Sequence, residues 1–143
     1  MPAEAFVDAS YAIALSSARD LHHARAVALA DRLAEAGTRL VTTRAVLLEI
    51  GNALARLQYL EAAIRLLDAI ESDPHVQIIP LSDDLYRRAL DLYRSRPDKE
   101  WGLTDCVSFT VMNDRGVADA LTADEHFRQA GLRALLLEDQ PQS

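Results

Sequence analysis

Apolar residues in this chain fall in two alternating kinds of run. Short compact blocks are separated by longer stretches in which apolar positions return every three or four residues. The first kind predicts strands and the second amphipathic helices. Strands are expected at Ala5-Phe6-Val7, ending at Asp8, and at Arg39-Leu40-Val41-Thr42. A third is expected at Val76-Gln77-Ile78-Ile79, stopped by Pro80. A fourth runs from Val117 to Leu121, and an edge strand from Arg133 to Leu137. Helices are expected from Leu21 to Ala36, closed by Gly37, and from Arg44 to Leu57 on the stripe Leu47, Ile50, Leu54 and Leu57. Others run from Leu60 to Ile70, through Leu85, Tyr86, Ala89, Leu90 and Tyr93 to a stop before Pro97, from Thr104 to Arg115 with Gly116 after it, and from Glu125 to Gly131. The polar tail Asp139–Ser143 is expected to fray.

Strands that alternate with helices imply a mostly parallel sheet covered on both faces, a three-layer α/β/α architecture. No repeat, low-complexity tract or linker interrupts the 143 residues, so a single domain over 1–143 is expected. Half the residues are apolar, which supports a real core and excludes a disordered chain. The formal net charge of −7 excludes a simple electrostatic binder of nucleic acid; contact with a phosphate backbone would need bridging cations. Cys106 is the only cysteine, so no internal disulfide is possible. The N-terminal stretch carries Glu4 and Asp8 and no basic region, and no run is long and apolar enough to span a membrane. The expectation is a soluble cytoplasmic protein without membrane association.

Parallel sheets of this kind bind ligands beyond the carboxyl ends of their strands, where the strand order switches. Asp8 follows the first strand and Asp124 comes just after the fourth. If those strands are neighbours, both carboxylates reach one rim; taken singly, each is equally a turn or helix-capping acid. Thr122 and Glu125 fit a capping box, which explains Glu125 and leaves Asp124 as the better chemical candidate. Glu49 lies at the edge of the Leu47/Ile50/Leu54/Leu57 stripe, with Asn52 and Arg56 on the same flank. Gly51, unfavourable inside a helix, points to close approach of another element. Asp105 sits in a first helical turn behind Thr104, a candidate N-cap, where the helix dipole alone would favour an acid. Converging carboxylates about 5 Å apart repel by about 3 kcal/mol per pair at an effective dielectric near 20, so such a cluster calls for protons or cations. All-oxygen ligation suits Mg²⁺ or Mn²⁺.

Four stretches in order carry a resemblance: Phe6-Val7-Asp8-Ala9-Ser10, Leu47-Leu48-Glu49-Ile50-Gly51-Asn52-Ala53-Leu54, Asp98 through Phe109, and Ala120 through Gly131. Together they make the chain similar to PIN-domain nucleases, and more narrowly to the VapC-type ribonuclease toxins of type II toxin–antitoxin pairs. The resemblance implies that Asp8, Glu49, Asp105 and Asp124 are the catalytic and metal-binding quartet, served by Mg²⁺ or Mn²⁺. It implies a sheet order of 3-2-1-4-5, a homodimer and a cognate VapB-type antitoxin. The activity implied is endonucleolytic cleavage of RNA phosphodiesters by a metal-activated water. Ala9 departs from the pattern, standing where many relatives carry Thr, and Ser10 is the candidate to supply the hydroxyl. Ser10, Asn52, Thr104 and Thr122 are the candidates to orient the carboxylates, and Arg56 to hold a flanking phosphate. Asp98, beside Pro97, reads as a turn acid in a matched loop.

The remaining reactive residues have bland readings. His22, His23, His75 and His126 form no ligand pattern; His22 and His23 are expected at the surface, and His126 to pack or cap. Cys106 reads as a core thiol and Trp101 as loop packing. A phosphoaspartate receiver would need an acidic pair after the first strand and a late Lys, but Asp8 has no acidic neighbour and the only Lys is Lys99. A haloacid-dehalogenase-type phosphatase would need an Asp where Ser10 stands. Two alternatives stay open: a PIN nuclease of RNA processing that is no toxin, and a catalytically silent PIN-like module that binds RNA or protein.

Overall fold

The computed structural model describes residues 1–138, so the tail at 139–143, expected to fray, lies outside the described residues. Five strands form one sheet: β1 (Glu4–Val7), β2 (Arg39–Thr43), β3 (Val76–Ile79), β4 (Asp119–Leu121) and β5 (Arg133–Ala134). Their order is β3-β2-β1-β4-β5 and every neighbouring pair is parallel, as the α/β reading expects. The helices are α1 (Ala9–Ser16), α2 (His23–Ala36), α3 (Arg44–Ala53), α4 (Leu60–Ser72), α5 (Asp83–Ser95), α6 (Leu103–Arg115) and α7 (Glu125–Gln129).

Helix α1 is absent from the sequence expectation. Its sequence, ASYAIALS, is apolar nearly all round, and Ala9, Tyr11, Ala12 and Ala14 are buried. A helix without a polar face shows no 3.6-residue period to detect. Helix α3 ends at Ala53, short of the expected Leu57, and Leu57 opens a separate 3₁₀ turn with its side chain 89 % exposed. Strands β4 and β5 are shorter than expected, and Leu135–Leu137 form a 3₁₀ turn instead of extending the edge strand. Gly51 needs no special packing, because a methyl group there would meet the Leu67 side chain of α4 at an ordinary 3.9 Å.

Two features place the carboxyl ends of β1 and β4 side by side. Phe6 pairs with Ala120 and Val7 with Leu121, and the Asp8 amide donates to the Leu121 carbonyl (3.2 Å). Beneath that junction, Phe6, Phe109 and Phe127 are buried in one aromatic stack, with Phe109 and Phe127 edge-on at 5.0 Å. Trp101 caps the stack at 5.0 Å from Phe109 and donates from Nε1 to Gln129 Oε1 (3.0 Å), as its packing role requires. The stack joins β1, α6, α7 and the loop before α6 into one platform.

Candidate active site

Each candidate carboxylate is fixed by a different local rule. Asp8 leaves β1 with extended backbone and stands at the N-cap of α1, but its side chain makes no cap bond. Its Oδ2 instead accepts from Thr122 Oγ1 (2.7 Å) and Ser10 Oγ (3.3 Å). Thr122 also accepts from the Asp124 amide (3.0 Å), while Ser10 accepts from the Ala123 amide (3.0 Å). Two hydroxyls therefore stitch the ends of β1 and β4 together around one carboxylate. Ser10 supplies the hydroxyl that Ala9 lacks.

Asp105 sits in the first turn of α6 and reaches back, accepting through Oδ2 from the Gly102 amide (3.1 Å). The N-cap is Gly102, not the expected Thr104, which lies inside the helix. The same Oδ2 stands 3.0 Å from His126 Nδ1. Asp124, not Thr122, is the N-cap of α7: its Oδ1 accepts from the His126 amide (2.9 Å). The expected Thr122/Glu125 capping box is thus not formed, because Thr122 lies two positions before the N-cap and its hydroxyl is engaged with Asp8. Glu125 is exposed and pairs with Arg128 at 3.3 Å.

The electrostatics show that the four acids share one site. Burial is the main cause raising Asp8 to about 6, with the charges of Asp105 and Asp124 adding to it and the Thr122 and Ala9 hydrogen bonds opposing it. Glu49, half-buried on α3, is raised to about 7 first by burial and then by Asp8, Asp105 and Asp124, against an opposing Thr104 hydroxyl. Asp105 is raised by burial and by Asp124, with His126 and the Gly102 amide pulling the other way. Among the described residues, no Lys or Arg forms an ion pair with any of the four; the basic partner is His126, 3.0 Å from Asp105 and 3.4 Å from Asp124. Buried carboxylates that repel one another without a balancing cation fit a divalent ion of hard-oxygen preference. Ligand atoms of Asp105, Asp124 and His126 all lie within 4.8 Å of one another.

The other expected site residues fall differently. Asn52 is exposed on the outer part of α3. Arg56 is exposed beyond the end of α3, so the helical spacing that put it beside Glu49 does not apply. Asp98 is exposed and pairs with Lys99 (3.6 Å). His22 is partly buried, and His23 contacts the Ala14 carbonyl through Nδ1 (2.8 Å), so neither is simply a surface residue. Cys106 is buried as expected. His126 is the residue that sequence reasoning missed. The usable signal was its place two residues after Asp124 at the start of a short helix, which turns its ring back toward the cap.

The chain belongs to the PIN-domain family: residues 5–132 match it. Its relatives include the "23S rRNA-specific endonuclease VapC20" of two Mycobacterium tuberculosis strains, CDC 1551/Oshkosh and H37Rv. Each is 30% identical over 126 residues, which covers 88% of this chain and 93% of the relative. A crystal structure of Mycobacterium tuberculosis VapC20, titled a sarcin-ricin loop cleaving toxin, superposes with a TM-score of 0.78 at 29% identity, covering 90% of this chain and 95% of that one.

Thr122 offers a direct test of this arrangement. Thr122→Val removes the hydroxyl that holds Asp8 against the Asp124 amide, and the loss of such an orienting partner is worth about 10–100-fold in metal affinity or activity. Metal-dependent RNA cleavage is expected to fall in that range, with Thr122→Ser restoring it. Equal activity of the Val variant would show that the hydroxyl orients nothing.

Proposed function

We propose that this chain is a divalent-metal-dependent endoribonuclease and the toxin of a toxin–antitoxin pair. The observation that supports the reading is the meeting of Asp8, Glu49, Asp105 and Asp124 near the β1/β4 switch point, where the proton affinities of Asp8, Glu49 and Asp105 are raised and no Lys or Arg pairs with the four among the described residues. One or two Mg²⁺ or Mn²⁺ ions would be held by these four. Bound there, such an ion supplies Lewis acidity toward a phosphate and activates a water for attack on the phosphodiester. The protein's own part is to fix the carboxylates: Thr122 and Ser10 hold Asp8, and the Gly102 amide holds Asp105. The metal also lets a chain of net charge −7 approach an RNA backbone.

The VapC relatives support an RNA substrate and an antitoxin partner, and the target in their name makes 23S rRNA the first substrate to examine. A VapB-type antitoxin and a second copy of this chain are the protein partners proposed, with apolar surface available to them at Leu48 on α3, Leu57 in the 3₁₀ turn after it, and Leu60 and Ile64 on α4, each 49% exposed or more. No described helix is long and apolar enough to cross a membrane. The silent-module reading predicts loss of one or more of the acids, and all four are present.

The test is to induce the chain alone in bacteria and map new RNA 5′ ends, then repeat with purified protein in Mg²⁺, Mn²⁺ and EDTA. New ends that vanish with EDTA and in both Asp8→Asn and Asp124→Asn are expected. Folded wild-type protein that makes no new ends in cells or on purified 23S rRNA would overturn the nuclease reading in favour of the binding module.

A further inference from the structure

The two sides of the acidic site differ in chemistry. Around Asp8 the neighbours are hydroxyls and a backbone amide, so the donor set there is oxygen only. Around Asp105 and Asp124 an imidazole intrudes. His126 Nδ1 lies 3.0 Å from Asp105 Oδ2 and 3.4 Å from Asp124 Oδ1. Adjacent ligand atoms on an ion with bonds of about 2.1 Å stand about 3 Å apart, a spacing close to that of Nδ1 from each carboxylate oxygen, and all three ligand atoms lie within 4.8 Å of one another.

Resting on the metal reading above, we propose that His126 Nδ1 is a nitrogen ligand of the ion held by Asp105 and Asp124. This makes that half of the centre a mixed nitrogen–oxygen site that favours Mn²⁺ over Mg²⁺. Mg²⁺ prefers oxygen ligands and retained waters, whereas imidazole suits transition ions. The ring is set for the task by its own main chain. The His126 amide donates to Asp124 Oδ1 (2.9 Å), which anchors the residue to the very carboxylate it would join at the metal. Phe127, buried beside it in the aromatic stack, fixes the turn of helix that carries the ring. Ligation requires the lone pair on Nδ1 and the proton on Nε2, for which no partner competes among the described residues. The Gly102 amide continues to hold Asp105 Oδ2 when the imidazole turns from hydrogen-bond partner to ligand.

The experiment uses the full chain stripped with EDTA and titrated with Mn²⁺ alone. Pulsed electron paramagnetic resonance reads nitrogen coupled to the ion, and calorimetric competition gives the Mn²⁺/Mg²⁺ affinity ratio. The wild type is expected to show imidazole ¹⁴N modulation that shifts when the histidine rings carry ¹⁵N. His126→Gln, checked for folding by its melting curve, is expected to lose that modulation and to lower the Mn²⁺/Mg²⁺ ratio by about 10-fold. Bound Mn²⁺ without nitrogen modulation in the wild type, or modulation that persists in folded His126→Gln, would overturn this assignment and leave the four-acid site intact. Failure of the wild type to bind Mn²⁺ at all would remove the metal reading along with it. If His126→Gln does not fold, the wild-type spectra with and without ¹⁵N rings decide alone.

Discussion

Asp8→Asn is expected to abolish RNA cleavage and at the same time to raise the melting temperature of the metal-free protein. The two effects have one cause. Asp8 is 4% exposed, and its charge has no Lys or Arg partner among the described residues. Without metal, the ionised carboxyl suffers desolvation and the repulsion of Asp105 and Asp124, which is why its pKa stands at about 6 instead of 3.8. That shift corresponds to about 2–3 kcal/mol lost at neutral pH. Asn keeps an oxygen to accept from Thr122 Oγ1 and carries no charge, so most of that loss is recovered. At about 2–4 °C per kcal/mol the gain is several degrees. The same substitution removes a proposed metal ligand, and forfeiting several kcal/mol of charge stabilisation in the transition state is expected to slow cleavage by about 10³-fold or more. Calorimetry in EDTA and a cleavage assay in Mn²⁺ check both halves, with added Mn²⁺ raising the melting point of the wild type far more than that of the variant. A variant that melts lower, or that still cleaves, would contradict the role given to Asp8.

The metal-free protein is also expected to lose stability as pH rises from about 4 to about 7, the reverse of ordinary acid denaturation. Asp8 and Glu49 both hold protons more tightly folded than unfolded, at about 6 and about 7 against 3.8 and 4.5. The native state therefore binds more protons across that window, and stability falls with pH until both groups are ionised in either state. Asp8 alone contributes about 2–3 kcal/mol, complete by just above pH 6. Glu49 extends the fall toward pH 7. The acids that act in the opposite sense are Glu4 and Glu138, held low by Arg115 and Arg133, and their stabilisation is lost only as pH falls below about 4.5. Urea unfolding in EDTA at pH 5, 6 and 7.5 should give a descending series, and saturating Mn²⁺ should flatten or invert it. A flat series without metal would mean that the site acids are neutralised by some other group.

Much of this was readable before any coordinates. Short apolar blocks between amphipathic stretches marked all five strands, because a strand buried on both faces needs no alternation to announce itself. Asp8 and Asp124 at strand ends and Asp105 in a first turn pointed to the candidate site, because the switch point of a parallel sheet is set by topology and not by local detail. What stayed hidden was of two kinds. Helix α1 was hidden by being apolar all round. The capping chemistry was hidden because Thr122 and Asp124 before α7, like Gly102 and Thr104 at α6, are plausible caps two residues apart, and for α7 only the tertiary contact between Thr122 and Asp8 shows that the Thr122 hydroxyl is engaged elsewhere. His126 belongs with the second kind: its role depends on α6 and α7 meeting, which no spacing within one segment expresses.

The sheet order has a consequence for how the protein comes into being. β1 pairs with β2 some 35 positions later in the chain, but its other neighbour is β4, with Phe6 facing Ala120. Thr122, Asp124 and His126 follow β4 directly, so the hydroxyl that holds Asp8 is synthesised 114 positions after it. A ribosome adding about 5–20 residues per second holds, for several seconds before β4 is made, a fragment with an incomplete acidic site and no aromatic platform beneath it. A chain stalled before residue 120 lacks Thr122, Asp124 and His126 and cannot assemble the constellation around Asp8. The timing of site assembly is thus written into strand order: the acidic constellation closes only once β4 has joined β1.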